Sequence, residues 1–305
     1  MAEAFRVGTR GSPLALAQTE EVVTLLRAVH PGLRFETVPI ETHGDAGYRS
    51  DLGTPLDGKR AFTKRIEDAL LERRIDFAVH SLKDLPTRMV PDLTLAAIPA
   101  RADPGDVLVR AGSGDGAPGE GRIGTSSLRR RAQVLALWPH ARVSELHGNV
   151  GTRLRRLDGK EFDSLVLAAA GLARLRLGDR ITESFSPDEM TPAPGQGALA
   201  VQARSGDDRV LQVLAAIDDE AARRTTEAER DLATRVGGDC NVPFGALATS
   251  DGDRITLRAV VASPDGREIV RAKVEGAARD GSRVAGEAWK ALRDRGADKI
   301  VEEWA

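Results

Sequence analysis

The chain has 305 residues, enough for two domains of ordinary size or three small ones. Its 41% hydrophobic and 30% charged residues exclude a disordered or membrane-embedded class, and a net charge of -2 argues against a general nucleic-acid binder. Met1 to Val7 lacks a basic stretch followed by an apolar run and no segment reaches membrane-spanning length, so no signal peptide, no membrane span and a cytoplasmic location are expected. The basic residues are 37 Arg and seven Lys. A GC-rich coding sequence accounts for the excess of Arg, but not for particular Arg at strand ends and helix starts, where a planar fork grips carboxylates in bidentate fashion.

Phe5 to Arg10 reads as a strand, followed by Gly11-Ser12-Pro13 and an apolar-periodic helix from about Leu14 to Val29, with Ser12 as N-cap and Pro13 as first helical residue. Arg34–Thr42, Phe77–Ser81 and Leu93–Ile98 read as strands alternating with a helix near Ala61–Arg73, a rhythm that predicts a largely parallel sheet. Ala111–Gly121 is a Gly-rich surface loop. Arg122–Ser127 then repeats the strand-Gly-Thr-cap pattern and runs into a helix ending near Trp138-Pro139, about 116 residues after the first copy, which predicts a duplicated α/β domain. Ser164–Ala170 is a short buried strand with a helix starting at Gly171-Leu172, and Ala198–Ala203 is a strand expected to return to the first sheet. The last part changes character: a two-signed charged helix over Ala221–Val236, strands at Phe244–Thr249, Ile255–Ala262 and Glu268–Val274, the turn Ser263-Pro264-Asp265-Gly266, and a closing helix near Ser282–Arg295.

In open parallel sheets, anions collect at the carboxyl ends of strands and at helix N-termini. Three segments fall there: Arg10 with Ser12, Thr125 to Arg130, and His147 to Arg153. They offer hydroxyls, backbone donors and Arg but no clustered acid, so no metal is expected. Each taken singly also reads as a solvated helix cap. The sharper signal is Ala-Val-His-Ser-Leu-Lys-Asp-Leu-Pro, residues 78–86: a strand ends and Pro86 blocks its continuation, leaving Lys83 and Asp84 at the rim. They are either a rim salt bridge or a working pair, with Asp84 holding a proton or a developing cation and Lys83 facing an anion. His80 reads as a structural hydrogen-bonding residue.

Cys240 is the only thiol, which excludes an internal disulfide and makes a zinc site a poor fit. It is either buried filler or a covalent anchor, and the flanking Gly237-Gly238-Asp239 and Asn241 favour an exposed turn. Neither a Gly-x-Ser-x-Gly elbow nor a Gly-x-x-x-x-Gly-Lys-Ser/Thr loop is present.

Seven segments in order carry a family resemblance: Gly-Thr-Arg-Gly-Ser-Pro-Leu-Ala-Leu (8–16), the 78–86 segment, Gly-Thr-Ser-Ser-Leu-Arg-Arg (124–130), Gly-Asn-Val-Gly-Thr-Arg-Leu (148–154), Leu-Ala-Ala-Ala-Gly-Leu-Ala-Arg-Leu (167–175), Pro-Gly-Gln-Gly-Ala (194–198) and the Cys240 turn. The sequence resembles porphobilinogen deaminase, or hydroxymethylbilane synthase, from Arg6 onward and more weakly beyond Gly245. The resemblance implies an α/β fold of three domains: two periplasmic-binding-protein-like α/β domains around a cleft, residues 1–97 with 198–215 and residues 102–191, plus a small C-terminal α+β domain, 220–305. It implies stepwise head-to-tail condensation of four porphobilinogen molecules, with loss of ammonia, on a dipyrromethane cofactor held by a thioether to Cys240, then hydrolytic release of the linear tetrapyrrole. It also implies Asp84 as the catalytic carboxylate. Lys83, Thr125, Ser127, Arg129, Arg130, Gly148 and Arg153 are implied as further cofactor-binding residues, and Arg10, Ser12, Lys59, Phe62 and Gln196 as substrate-binding ones. Two carboxylates per pyrrole put about twelve negative charges on a six-ring chain, which calls for a cleft rich in Arg and backbone donors. Asp45–Arg60 resembles the family's mobile loop, a lid that excludes water. A monomer acting on a small molecule, without nucleic acid or membrane, is expected.

Some positions depart from the family pattern. His147 stands where an Arg generally precedes Gly-Asn-Val, which removes a bidentate donor; Arg60, Arg65 and Asp239 also differ. The rival reading from another class is a non-catalytic two-domain anion-binding protein, which has no need of Cys240 or Asp84. A cysteine hydrolase lacks any base near the thiol in sequence.

Overall fold

The computed structural model describes residues 4–41, 60–112, 119–237 and 242–304, the side chains of residues 60–62 excepted. The expected lid over Asp45–Arg60 except for the backbone of Arg60, most of the Ala111–Gly121 loop, and Cys240 with its neighbours lie outside the described residues.

In chain order the elements are β1 (Phe5–Arg10), α1 (Pro13–Val29), β2 (Phe35–Ile40), α2 (Arg60–Leu71), β3 (Phe77–Ser81), β4 (Leu93–Ala97), β5 (Asp106–Arg110), β6 (Arg122–Gly124), α3 (Leu128–Leu137), β7 (Arg142–Ser144), α4 (Val150–Asp158), β8 (Ser164–Ala168), α5 (Ala169–Arg174) and β9 (Glu183–Ser184). They continue with β10 (Leu199–Arg204), α6 (Asp208–Ala215), α7 (Glu220–Val236), β11 (Phe244–Asp251), β12 (Arg254–Ala262), β13 (Ile269–Ala277), α8 (Gly281–Arg293) and α9 (Ala297–Trp304). The chain divides into two compact units, Met1–Arg101 with Ala198–Arg223 and Ala102–Gly197 with Arg224–Ala305.

The first unit is built on a five-stranded sheet in the order β2-β1-β3-β10-β4. β1 pairs in parallel with β2 and β3, and β10 runs antiparallel to both β3 and β4. The returning strand expected near Ala198 is this β10. All six of its residues are buried, which is why Leu-Ala-Val-Gln-Ala reads as a nearly continuous apolar run rather than an alternating one. Its two polar members have partners: Gln202 Nε2 donates to Glu67 Oε1 at 3.3 Å, and Arg204 Nη1 to the Leu70 and Ile75 carbonyls at 2.7 and 2.8 Å. α1 starts where the sequence places it, since Ser12 Oγ accepts from Ala15 N at 3.2 Å and Pro13 occupies the first turn. Its buried residues at 15, 18, 19, 22, 23 and 26 follow the helical period onto the sheet.

The second unit contains a sheet in the order β7-β6-β8-β5-β9. β6 is parallel to β7 and β8, and β5 is antiparallel to β8 and β9. Position for position this is the strand order and direction of the first sheet, with four of five strands running one way, so the duplication read from two short segments extends over the sheet, except that the antiparallel strand comes last in chain order in the first sheet (β10) and first in the second (β5). β5, β7, β9 and α9, with α6 of the first unit, lie outside the elements expected from sequence. β5 hides because Asp103-Pro104-Gly105-Asp106 reads as a turn, yet Asp106 is wholly buried as the strand's first residue. The helix expected at Gly171 begins two residues earlier, at Ala169.

The same unit carries the antiparallel sheet β11-β12-β13. Alternate residues Ile255, Leu257, Ala259 and Val261 pack with Ala272 against Val284, Ala288, Leu292 and Ile300 of α8 and α9. Glu229 of α7 is fully buried and accepts from Gly195 N at 2.7 Å and Ala248 N at 2.8 Å, tying the Pro-Gly-Gln-Gly turn to the sheet.

Candidate functional site

In the first unit a pocket forms at the carboxyl ends of β1 and β3, as strand polarity requires. Arg10 closes β1, Ser12 opens α1, and Ser81 ends β3; they line the pocket with Gln18, His80 and Asp84. Beyond Ser81 the chain tightens into a single 3-10 turn, Leu82–Asp84. Leu82 N donates to the Ala198 carbonyl at 3.0 Å, and the Leu82 and Leu85 side chains sink into the core, so Lys83 and Asp84 are left half-buried at the rim. Gln18 Nε2 donates to Ser81 Oγ at 2.8 Å and fixes α1 to the end of β3. Asp84 is the only acid among the described residues that line this pocket.

His80 lies under the pocket, 6% exposed, with Nε2 lacking a hydrogen-bond partner among the described residues. Burial lowers its pKa to about 4, opposed by a side-chain hydrogen-bonding interaction with Gln202 and helped by the charge of Arg10, so the imidazole is neutral at physiological pH.

In the second unit Thr125 is held by its N–H to the Ser144 carbonyl at 3.0 Å, and its hydroxyl accepts from Ser127 N at 3.2 Å. Ser127 caps α3 by accepting from Arg130 N at 3.4 Å. Arg129 and Arg130, each 6% exposed, close on one buried carboxylate: Arg129 Nη1 reaches Asp106 Oδ2 at 2.6 Å and Arg130 Nε reaches Oδ1 at 2.8 Å. Gln196 Nε2 completes the knot, donating to Asp106 Oδ1 at 2.9 Å and to the Pro104 carbonyl at 2.7 Å. Burial pushes the Asp106 carboxyl up, but the adjoining guanidiniums overcome it and hold the group well below the usual carboxylate range. Burial also lowers the Arg130 guanidinium from its ordinary value.

Asn149 caps α4 by accepting from Thr152 N at 2.9 Å, and Gly148 before it takes φ +109°, a conformation that suits glycine. Arg153 Nε donates to the Gly148 carbonyl at 2.7 Å and Nη2 to Ser126 Oγ at 3.3 Å, which aims the side chain back across the helix start. Burial, with the charge of Arg130 second, lowers its pKa from the ordinary value. His147 is exposed and pairs with Glu145 Oε2 at 3.2 Å. Arg65 donates to the Glu41 carbonyl at 3.2 Å.

The structure thus groups Arg10, Ser12 and Asp84 in one pocket of the first unit, with Lys83 in the same turn as Asp84. It groups Thr125, Ser127, Arg129, Arg130, Gly148, Arg153 and Gln196 in the second. Cys240, Lys59 and the Phe62 side chain are outside the described residues. Sequence reasoning missed Asp106, the acid that organises Arg129, Arg130 and Gln196, and Gln18. The signal for Asp106 was an acid heading a four-residue buried run; that for Gln18 was a polar residue on the apolar stripe of α1. No group of three or more metal-ligating side chains occurs among the described residues.

Residues 5–212 match the model for "Porphobilinogen deaminase, dipyromethane cofactor binding domain", and residues 224–290 that for "Porphobilinogen deaminase, C-terminal domain". The porphobilinogen deaminase of Acidithiobacillus ferrooxidans is 45% identical over 305 residues, covering 99% of either chain. That of Roseiflexus castenholzii is 45% identical over 303 residues with the same coverage, and that of Stenotrophomonas maltophilia 44% over 305 residues, covering 98% of this chain and 99% of its own. A solved substrate-binding domain of a putative amino acid ABC transporter from Streptococcus pneumoniae overlays at TM-score 0.45 and 9% identity, over 70% of this chain and 90% of that one. With both family domains matched in order and full-length relatives at this identity, the chain belongs to the porphobilinogen deaminase family.

Proposed function

We propose that the protein joins four porphobilinogen molecules head to tail, with loss of ammonia at each joining, and releases the linear product hydroxymethylbilane by hydrolysis. The observation that carries this reading is the first-unit pocket, where one carboxylate, Asp84, stands among Arg10, Ser12 and a neutral His80. Porphobilinogen offers the matching groups: two carboxylates for cations and hydroxyls, and a pyrrole N–H and an aminomethyl group for an acid. Departure of ammonia leaves positive charge on the pyrrole, and a fixed carboxylate beside it stabilises that charge as it develops. Since His80 is uncharged at neutral pH, Asp84 takes the electrostatic and proton-holding work in this pocket.

The dipyrromethane named by the matching family model supplies, when bound, a covalently held pyrrole acceptor for the incoming ring. The donor set fits such a polycarboxylate: the described candidates are cations, hydroxyls and a helix start, and Arg129 Nε is a buried donor without an acceptor among the described residues. We assign Cys240 as its thioether anchor and Lys83, Asp84, Thr125, Ser127, Arg129, Arg130, Gly148 and Arg153 as the residues that hold it. Arg10, Ser12, Lys59, Phe62 and Gln196 are assigned to substrate. Within these assignments Arg129, Arg130 and Gln196 act partly through their knot around Asp106, which fixes their direction before any ligand arrives. We read the protein as three functional domains, 1–97 with 198–215, 102–191 and 220–305, and as a cytoplasmic monomer. No helix among the described residues is long and apolar enough to cross a membrane, in keeping with that reading.

The test is incubation of the folded protein with porphobilinogen, following ammonia and the uroporphyrin I that forms from the released product. Asp84→Asn is expected to keep the cofactor and lose nearly all turnover. Folded, cofactor-loaded protein that releases no ammonia would overturn the reading, and a fully active Asp84→Asn would remove Asp84 from its role.

A further inference from the structure

The sheet β11-β12-β13 has two unlike faces. One is the apolar face covered by α8 and α9. On the other, Arg258 of β12 lies directly opposite Lys273 of β13, and Arg271 stands two residues along β13 on the same side. Like charges directly opposite each other weaken a sheet, and here each of the two is answered by one carboxylate, Asp188 for Arg258 and Glu275 for Lys273. With Arg295, which follows α8, and Thr191 and Asp188 from the segment before β10, these cations line a cavity of about 280 Å³.

The acids present leave the charge unbalanced. Asp188 Oδ1 meets Arg258 Nε at 3.0 Å and Glu275 Oε1 meets Lys273 Nζ at 3.2 Å. Among the described residues neither Arg271 nor Arg295 has a carboxylate partner. Arg271 donates only to neutral acceptors: Gln133 Oε1 at 3.3 Å, Thr191 Oγ1 at 3.2 Å and the Glu189 carbonyl at 3.0 Å. Arg295 donates to the Arg271 carbonyl. Burial lowers the Arg271 guanidinium from its ordinary value, only partly relieved by Asp188. A purely structural clamp between β13 and α3 accounts for Arg271, and Arg295 ties the end of α8 to the β13 backbone, but neither role supplies a counter-charge, and Lys273 is exposed and braces no other element.

The geometry points to this cavity as a second, non-catalytic site for a compact oxyanion of two or more negative charges, either phosphate or a small polycarboxylate. Its size suits a ligand at the small end of the range, and two guanidiniums with no carboxylate partner among the described residues, together with a lysine, supply the fork geometry such oxyanions take. The site is wired to the second-unit knot. Arg271 binds Gln133 and Thr191, Gln133 Nε2 donates to the Thr191 carbonyl at 3.0 Å, and the same carbonyl accepts from Arg129 Nη1 at 2.8 Å. An anion here therefore steadies the segment that holds Arg129.

The experiment titrates the cofactor-loaded protein with sodium phosphate and, separately, sodium citrate, each against sodium chloride at equal ionic strength, reading thermal shift and calorimetric heat. Saturable binding of phosphate, citrate or both is expected, and which of them binds identifies the source of the oxyanion. Lys273→Gln with Arg295→Gln, both exposed, should weaken it about tenfold or more while porphobilinogen turnover stays unchanged. Asp188→Asn should tighten it, because the competing carboxylate is gone. Equal binding in the double variant places the anion elsewhere, in the carboxylate-binding machinery for instance, and overturns the proposal. So does a response that chloride reproduces at matched ionic strength.

Discussion

Asp106 shows how much one buried residue decides. Its carboxylate accepts from Arg129, Arg130 and Gln196 at zero exposure, so two guanidiniums that sequence alone assigns to ligand are half-neutralised by the protein itself. Removing the acid strands both cations in a low-dielectric interior, which is far costlier than losing a surface pair. Asp106→Asn is expected to lower stability by about 3–5 kcal/mol, read as the free energy of urea unfolding, and to weaken substrate use by loosening Arg129 and Arg130. A change below about 1 kcal/mol would show that the charge of Asp106 is dispensable to that knot. His147 gives the opposite lesson: exposed and paired to Glu145, it adds nothing to the knot.

Elements meet where a glycine lets them. Gly245 of β11 has no Cβ, and one placed there would stand 2.6 Å from the Thr191 carbonyl oxygen and 2.9 Å from that of Pro192. The chain segment that carries Arg129's acceptor lies against the sheet only because of that vacancy. Gly245→Ala is expected to destabilise by about 1–3 kcal/mol through forced displacement of the segment, measured as a lower denaturant midpoint at unchanged slope. Ser127→Ala tests the other end of the connection, removing the cap of α3 at a cost of about 1 kcal/mol. The loss should appear as faster hydrogen exchange at the first turn of α3.

At the scale of the whole molecule, stability against acid is set in distinct windows. The His80 pKa falls from 6.5 to about 4 on folding, so between those values the unfolded chain binds a proton that the folded one excludes. That stability is fully present above 6.5, is lost as pH falls, and is gone below about 4, a change of roughly 3 kcal/mol. Asp106, whose carboxyl is depressed, acts lower: its contribution is present above 3.8 and lost as pH falls further. Unfolding free energy measured from pH 7 to pH 4.5 should therefore drop steeply, and His80→Gln should flatten the drop. An unaltered slope in that variant would dismiss His80 as its source. The assignment of Cys240 is checked on the whole molecule too. Intact-mass spectrometry should find active protein heavier than its polypeptide, and Cys240→Ala at bare polypeptide mass and without turnover.

The linear order of residues determined every feature that depends on near neighbours: the Ser12-Pro13 and Ser127 helix starts, the end of β3 before Lys83-Asp84, the repeat of the strand-Gly-Thr unit, and the motifs that mark the family. Tertiary structure alone decided which strand lies beside which, because β5 and β10 pair with strands that precede or follow them across long stretches of chain. It decided also that Asp106 is a buried counter-ion and His80 a neutral base, since desolvation and charge pairing are properties of surroundings assembled from distant parts of the chain.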